Sequence, residues 1–333
     1  MDFFEHKDRA LKKSKYLLAL FFLSTFGVLI FSFIIIYLGA FWMHDYNVQA
    51  TNQLIIDNKF EIGFFLFGVF LIIMFGSLFK TVSLRKGGKV IAEMMGAKEI
   101  DVNTSDLDEQ KVLNVVHEMS ISSSLSRVPS VYIMEDDAIN AFAAGWHEDD
   151  AIISLTRGAI NKLNRNELQA VVGHEISHIQ HGDMNQNIRL MGIIHGLLLL
   201  AYVGQFIIRS SLYSSIGRRN KDGRVVIAMV AVGLGLIVVG SVGMLFGNII
   251  KAAISRQREF LADASAVQYT RSPDSMSGAL KKIAGMGKDN YLKEAKATQM
   301  NHMFFTKSVH SFFATHPPIE ERIRRVSSGY GER

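Results

Sequence analysis

The sequence predicts an α+β protein, a mainly helical domain with a small β-sheet, carried on transmembrane helices. Three observations point there. Long apolar runs alternate with ordinary globular sequence. The stretch GHEISHIQHGD, beginning at Gly173, sets polar residues at helical spacing. The segments VPSVYIM, NAFAAG and AIISLT read as short strands.

The 333 residues are 49% hydrophobic with a positive mean hydropathy. Segregation of that hydrophobicity into runs is the mark of an integral membrane protein. Cysteine is absent, which excludes disulfides, cysteine metal sites and a cysteine nucleophile. The formal charge of +5 is modest. Its basic residues sit mostly beside apolar segments, where they anchor a membrane protein, so nucleic acid is not an expected partner and the lipid bilayer is.

Four apolar segments run from Tyr16 to Met43, Ile62 to Phe79, Leu190 to Ile208 and Val225 to Ile250. A bilayer core needs roughly 20 apolar residues in a helix. The first segment is too long for a signal-peptide core and reads as an uncleaved anchor. The last two could instead be buried helices of a soluble core. Gly233, Gly235, Gly240, Gly243 and Gly247 would weaken such helices, whereas small residues let membrane helices pack closely. The expected organisation is a tail over 1–15, a membrane pair over 16–79, a globular part over 80–187, a second apolar pair over 188–250 and a second globular part over 251–333.

Basic residues at the segment ends set orientation. Lys7, Arg9, Lys12, Lys13 and Lys15 precede the first segment, only Lys59 lies between the first two, and Lys80, Arg85, Lys86 and Lys89 follow. This puts the N-terminus and the chain after Lys80 in the cytoplasm. The loop of the later pair carries Arg209, Arg218, Arg219, Lys221 and Arg224. Either that pair spans against the rule or it is a hairpin that does not fully cross, and both return the chain to the side it left.

Residues Glu167 to His181 read as a helix, with Asn164 as N-cap and Glu167 completing a capping box. Leu168, Val171, Val172, Ile176 and Ile179 give its apolar face. His174 and His178 fall one turn apart on one face, so two imidazoles can meet one tetrahedral zinc ion. Glu175 follows the first histidine, where a carboxylate can take a proton from an attacking water. A match this short also arises by chance, so a third ligand decides. His181 lies about 10 Å along the axis from His174, too far to share one ion. The position ten after His174 is Met184, which excludes a metzincin pattern. Beyond the fourth apolar segment, SRQREFLADASAVQ places Glu259 and Asp263 four apart on a second helix. Glu259 can offer a carboxylate oxygen to zinc, and Asp263 can accept a hydrogen bond from the far nitrogen of His174. By spacing alone, a solvated helix with Glu259 paired to Arg256 or Arg258 is an equal reading.

The combination of NELQAVVG leading into HEISH, then SRQREFLADASA, then THPPIEERI, resembles the HtpX family of membrane zinc metallopeptidases, with CAAX prenyl proteases as more distant relatives. The resemblance covers most of the chain. It implies a gluzincin-like zincin domain, one zinc per chain on His174, His178 and Glu259, and Glu175 as general base. It implies endoproteolysis of misfolded or damaged membrane proteins and unfolded polypeptides, in quality control and stress response. The expected location is the inner (plasma) membrane, multi-pass, with the peptidase domain facing the cytoplasm. The resemblance transfers His316 and Arg322 to the neighbourhood of the substrate carbonyl, and Asn140, Ala141, Phe142 and Ala143 to a substrate-facing strand.

Some residues keep plainer readings beside these. Phe142 also suits plain sheet core. THPPIEER also suits a capped helix start, and Arg322 could assist or lock a nearby carboxylate. His302 and His310, in the Met- and Phe-rich stretch from Met300 to Phe313, read as lid or membrane-surface residues. If the peptide runs straight from both metal-bearing helices into the apolar pair, the site is mounted on the bilayer. The remaining alternatives are a catalytically silent, zinc-stabilised scaffold and a CAAX-type processing protease. A structural site usually closes its fourth position with a protein ligand, and the presence of Glu175 argues against one. A CAAX-type chamber needs more than four helices.

Overall fold

A computed structural model describes residues 26–41, 44–216, 223–285 and 316–328 with a few isolated positions before residue 26, and side chains at 214–216 and 223–225 are not among those described. His302, His310, Arg218, Arg219, Lys221 and most of the basic tail lie outside the described residues. Two compact units emerge, one from Arg85–Asn187 and Lys251–Arg333, the other from Leu18–Leu84 and Ile188–Ile250.

The first unit is built on a four-stranded sheet. Its strands are β1 (Lys98–Glu99), β2 (Ser130–Met134), β3 (Ala141–Ala144) and β4 (Ile152–Thr156), in the order β1-β2-β4-β3. β2 and β4 are parallel, while β1 and β3 run antiparallel to their neighbours. Side chains alternate across a strand, and here both faces are covered. Val131, Ile133, Ala141, Ala143, Ile153 and Leu155 face one core with Val112, Val116, Leu168 and Ile176. Tyr132, Met134, Phe142, Ala144 and Ile152 face a second core with Ile91, Ala92 and Met95. This double burial is why the strands read as nearly unbroken apolar runs. Phe142, 1% exposed, packs its side chain in the second core, in keeping with its plainer reading as sheet core. β1 is only two exposed residues long and carries no such pattern.

Helices α4 (Gly88–Met94), α5 (Leu107–Ser122), α6 (Arg157–Lys162), α7 (Arg165–Gln180), α10 (Pro273–Gly285) and α11 (Ile319–Ser328) complete this unit. Close approach fixes Gly88, because a Cβ there would sit 2.5 Å from the Ala144 carbonyl oxygen. α7 begins as its sequence requires. Asn164 Oδ1 accepts from the Glu167 amide at 2.9 Å, and Glu167 Oε2 accepts from the Asn164 amide at 2.8 Å. Lys282 of α10 pairs with the same carboxylate at 2.6 Å, which neutralises a nearly buried charge.

The second unit contains α1 (Phe26–Phe41), α2 (Val48–Asp57), α3 (Lys59–Leu84) and the apolar parts of α8 (Asp183–Ile216) and α9 (Gly223–Thr270). α3, α8 and α9 are, among the described residues, three helices long and apolar enough to cross a membrane. Small residues let their backbones touch. A Cβ on Gly196 would lie 2.4 Å from the Ile73 carbonyl oxygen, and one on Gly240 would lie 2.8 Å from that of Leu197. Phe60, Phe64, Phe67, Phe75 and Phe79 of α3 remain exposed, an outward apolar face suited to lipid rather than water.

α9 is a single helix of 48 residues, so Glu259 and Asp263 lie on the same helix as the fourth apolar segment. The other side differs from the sequence expectation. α7 stops at Gln180, Gly182 adopts φ +66°, and α8 starts afresh at Asp183. A left-handed residue after a helix C-terminus is a common way to satisfy its last carbonyls, and glycine takes that conformation without a Cβ clash.

Candidate metal centre

α7 and α9 bring His174, His178 and Glu259 together, with one ligand atom from each lying within 4.8 Å of the others. The two histidine Nε2 atoms are 3.2 Å apart. His174 Nε2 lies 3.7 Å from Glu259 Oε2, and His178 Nε2 lies 3.7 Å from Glu259 Oε1. A tetrahedral ion with bonds of about 2.0–2.1 Å separates its ligands by roughly 3.3 Å, so the donor set has the right size.

The other ring nitrogens explain the orientation. His174 Nδ1 sits 3.0 Å from Asp263 Oδ1, and His178 Nδ1 sits 2.8 Å from Asp183 Oδ2. Asp183 bonds Nδ1 of His178 and Asp263 stands at ion-pair distance from Nδ1 of His174, so each carboxylate turns its ring with Nε2 toward the shared ligand position. Two ring nitrogens and a carboxylate converge on one point, the donor set a divalent cation takes once the rings are neutral. The residues present therefore fit a divalent metal.

Electrostatics tell the same story. Burial pulls His174 down to about 4, against the hydrogen bond and charge of Asp263. Burial pushes Glu175 up to about 7, with Glu259 adding to the rise and His178 opposing it. Burial works against the charged form of His178 too. The hydrogen bond and charge of Asp183, with Glu259 and Glu175, outweigh it and hold His178 up at about 9. The anionic surroundings that keep a proton on His178 are those a divalent cation would neutralise.

Glu175 is buried, 2% exposed, and accepts a backbone hydrogen bond from Ala143 of β3. Ala143 belongs to an edge strand, since β3 pairs with β4 on one side only among the described residues. The Thr156 amide donates to the Asn140 carbonyl, so even-numbered residues of β3 bond to β4 and Ala141 and Ala143 turn their backbone groups outward. Asn140 is itself buried. Its Oδ1 accepts from the Ala141 amide at 2.9 Å and its own amide donates to Thr156 Oγ1.

His316 and Arg322 arrive from the C-terminal segment. His316 Nδ1 lies 3.1 Å from Glu259 Oε1, an ion-pair distance without hydrogen-bond alignment, as neither ring nitrogen makes an aligned bond. Arg322 is 1% exposed and grips Asp263 with two bonds, Nε to Oδ2 at 2.9 Å and Nη2 to Oδ1 at 2.7 Å. Its Nη1 is 3.4 Å from Glu259 Oε2. Burial works against the guanidinium charge, but Asp263 and Glu259 raise its pKa above the usual arginine range. Arg322 thus locks a carboxylate, and it is not in a surface ion pair. His181 stands apart, with Nδ1 2.7 Å from the Ser177 carbonyl oxygen. Asp183 was passed over in the sequence. Its position two residues after His181 gave a signal only to a reader who expected α7 to end at the intervening Gly182.

An HExxH helix, a carboxylate brought beside it by a second helix and helices long and apolar enough to cross a membrane define a membrane metallopeptidase. Comparison with known proteins agrees, and the chain belongs to peptidase family M48, whose sequence model matches residues 106–329. It is 33% identical over 272 residues to the Protease HtpX homolog of Dictyoglomus turgidum, covering 80% of this chain and 82% of that one. It is 31% identical over 310 residues to the Protease HtpX homolog of Caldanaerobacter subterraneus subsp. tengcongensis, covering 90% and 92%. A weaker likeness is to the crystal structure of S. mikatae Ste24p, with a TM-score of 0.49 and 16% identity, covering 90% of this chain and 66% of that chain.

Proposed function

We propose that this chain is a zinc-dependent endopeptidase of the inner (plasma) membrane, working on its cytoplasmic side. Its substrates are misfolded or damaged membrane proteins and unfolded polypeptides, cut as part of quality control and the stress response. One observation carries the chemistry. His174 and His178 turn their Nε2 atoms toward Glu259, while Asp263 and Asp183 stand beside the two Nδ1 atoms.

In this reading His174, His178 and Glu259 hold one zinc ion per chain. When bound, the ion would acidify a water molecule and polarise the scissile carbonyl. Glu175 accepts the proton of the attacking water and returns it to the departing amine. Burial serves this role, because a desolvated carboxylate is a stronger base than one in water. His316, buried beside Glu259, donates to the carbonyl oxygen as negative charge grows on it. Arg322 acts through Asp263 rather than on the substrate.

The substrate adds as an extended strand to β3, using the outward carbonyl groups of Ala141 and Ala143. Phe142 and Asn140 shape that strand from within. Recognition through backbone groups asks little of side chains, which suits a protease that must accept many damaged sequences.

The test is casein cleavage by the purified full chain in detergent, with metal content measured in parallel. Glu175→Gln should keep its zinc and its fold and lose proteolysis, because an amide cannot take the proton. Cleavage at the parent rate would overturn the mechanism.

A further inference from the structure

Arg258 directly precedes the third ligand, and the sequence offers it as a simple partner for Glu259. The structure sends it elsewhere. Its Nη1 lies 2.6 Å from Asp183 Oδ1, and its Nη2 donates to Gln186 Oε1. Asp183 and Gln186 are three apart on the first turn of α8, so one planar guanidinium meets the first as an ion pair and donates a hydrogen bond to the second. The pair is largely buried, at 13% side-chain exposure for Arg258 and 11% for Asp183. The other oxygen of Asp183 holds His178 Nδ1.

We infer that Arg258 is a positioning residue for the metal centre, clamping Asp183 so that His178 presents Nε2 at the correct place. This rests on the metal site proposed above. The geometry mirrors the other half of the site. Arg322 fixes Asp263, which fixes His174, and Arg258 fixes Asp183, which fixes His178. The second relay has an added consequence. Asp183 lies just past the break at Gly182, where α7 has ended and its hydrogen bonds no longer constrain the chain. Arg258 ties that junction to α9 one residue from Glu259. A histidine ligand on one helix and a carboxylate ligand on another are thereby held in register by an ion pair that does not pass through the metal.

The experiment measures Zn²⁺ affinity of the metal-stripped full chain in detergent, by competition with a chromophoric chelator, with thermal unfolding as a check on fold. Orienting partners of this kind are typically worth 10–100-fold in metal affinity. Asp183→Asn should weaken zinc by about that much and Arg258→Gln by roughly 10-fold. Arg258→Lys should fall between Arg258→Gln and the parent, since it restores charge without the planar fork. The double variant Asp183→Asn/Arg258→Gln should bind zinc no more weakly than Asp183→Asn alone, because Arg258 acts through Asp183. Parent-like affinity in Arg258→Gln overturns the clamp, as does a double-variant loss equal to the product of the single losses. If Arg258→Gln does not fold, Arg258→Lys decides, and parent affinity there overturns the clamp equally. His178→Ala separates the two readings. If it retains zinc at parent affinity, the proposed metal site itself is wrong, whatever Arg258 does.

Discussion

Arg322 is a fully buried cation, and its partners explain why the fold tolerates it. Taking a guanidinium out of water is costly unless its charge and its donors are matched, and Asp263 and Glu259 match both. Removing it strands two carboxylates in the interior. Arg322→Ala should therefore destabilise the protein by about 3–5 kcal/mol, seen as a lower thermal midpoint for the metal-free chain. An unchanged midpoint would mean that solvent already reaches those carboxylates. At this scale, sequence spacing revealed what a single helix decides. His174, Glu175 and His178 share one helix, Glu259 and Asp263 share another, and helical periodicity is readable from either alone. The partner of Arg322 was not readable, because it lies 59 residues away and only the packing of α11 against the rest of its unit brings it there. Asp183 was hidden for a different reason, since its approach to His178 depends on one left-handed backbone angle at Gly182.

α7 shows what a helix boundary contributes to a site. Its capping box is written in the sequence as N-R-N-E, and both reciprocal bonds form. Asn164→Ala removes an acceptor for an otherwise unpaired amide and should cost about 1 kcal/mol of stability, measured by denaturant or thermal unfolding. No measurable loss would place the anchoring of α7 in the Glu167–Lys282 pair instead. The strands were legible as strands because β-rich apolar runs end in turn residues. Which side chains they turn inward was not, because a sheet buried on both faces erases the alternation that marks an exposed side. Phe142 is the residue most affected. The ends of α8 and α9 also escaped prediction, since a helix that leaves an apolar environment has no need to stop where its hydrophobicity does.

For the whole molecule, the assembled site constrains how the chain is threaded. His174 precedes the later apolar pair and Glu259 follows it, yet both belong to one unit and lie within bonding range of a single ion. The chain must return to the side it left. Reporter fusions at Gly87 and after Arg333 should both report cytoplasm, and opposite locations would break the account. A fusion at Lys221 distinguishes two crossings from none. Composition and hydropathy announced a membrane protein, but they could not say that residues on either side of an apolar pair build one centre, because that depends on tertiary packing. The most direct test of that central claim is the zinc content of purified Glu259→Ala beside the parent. One zinc per chain in the parent, and little or none in the folded variant, is the predicted result. Full retention of zinc in Glu259→Ala would contradict it.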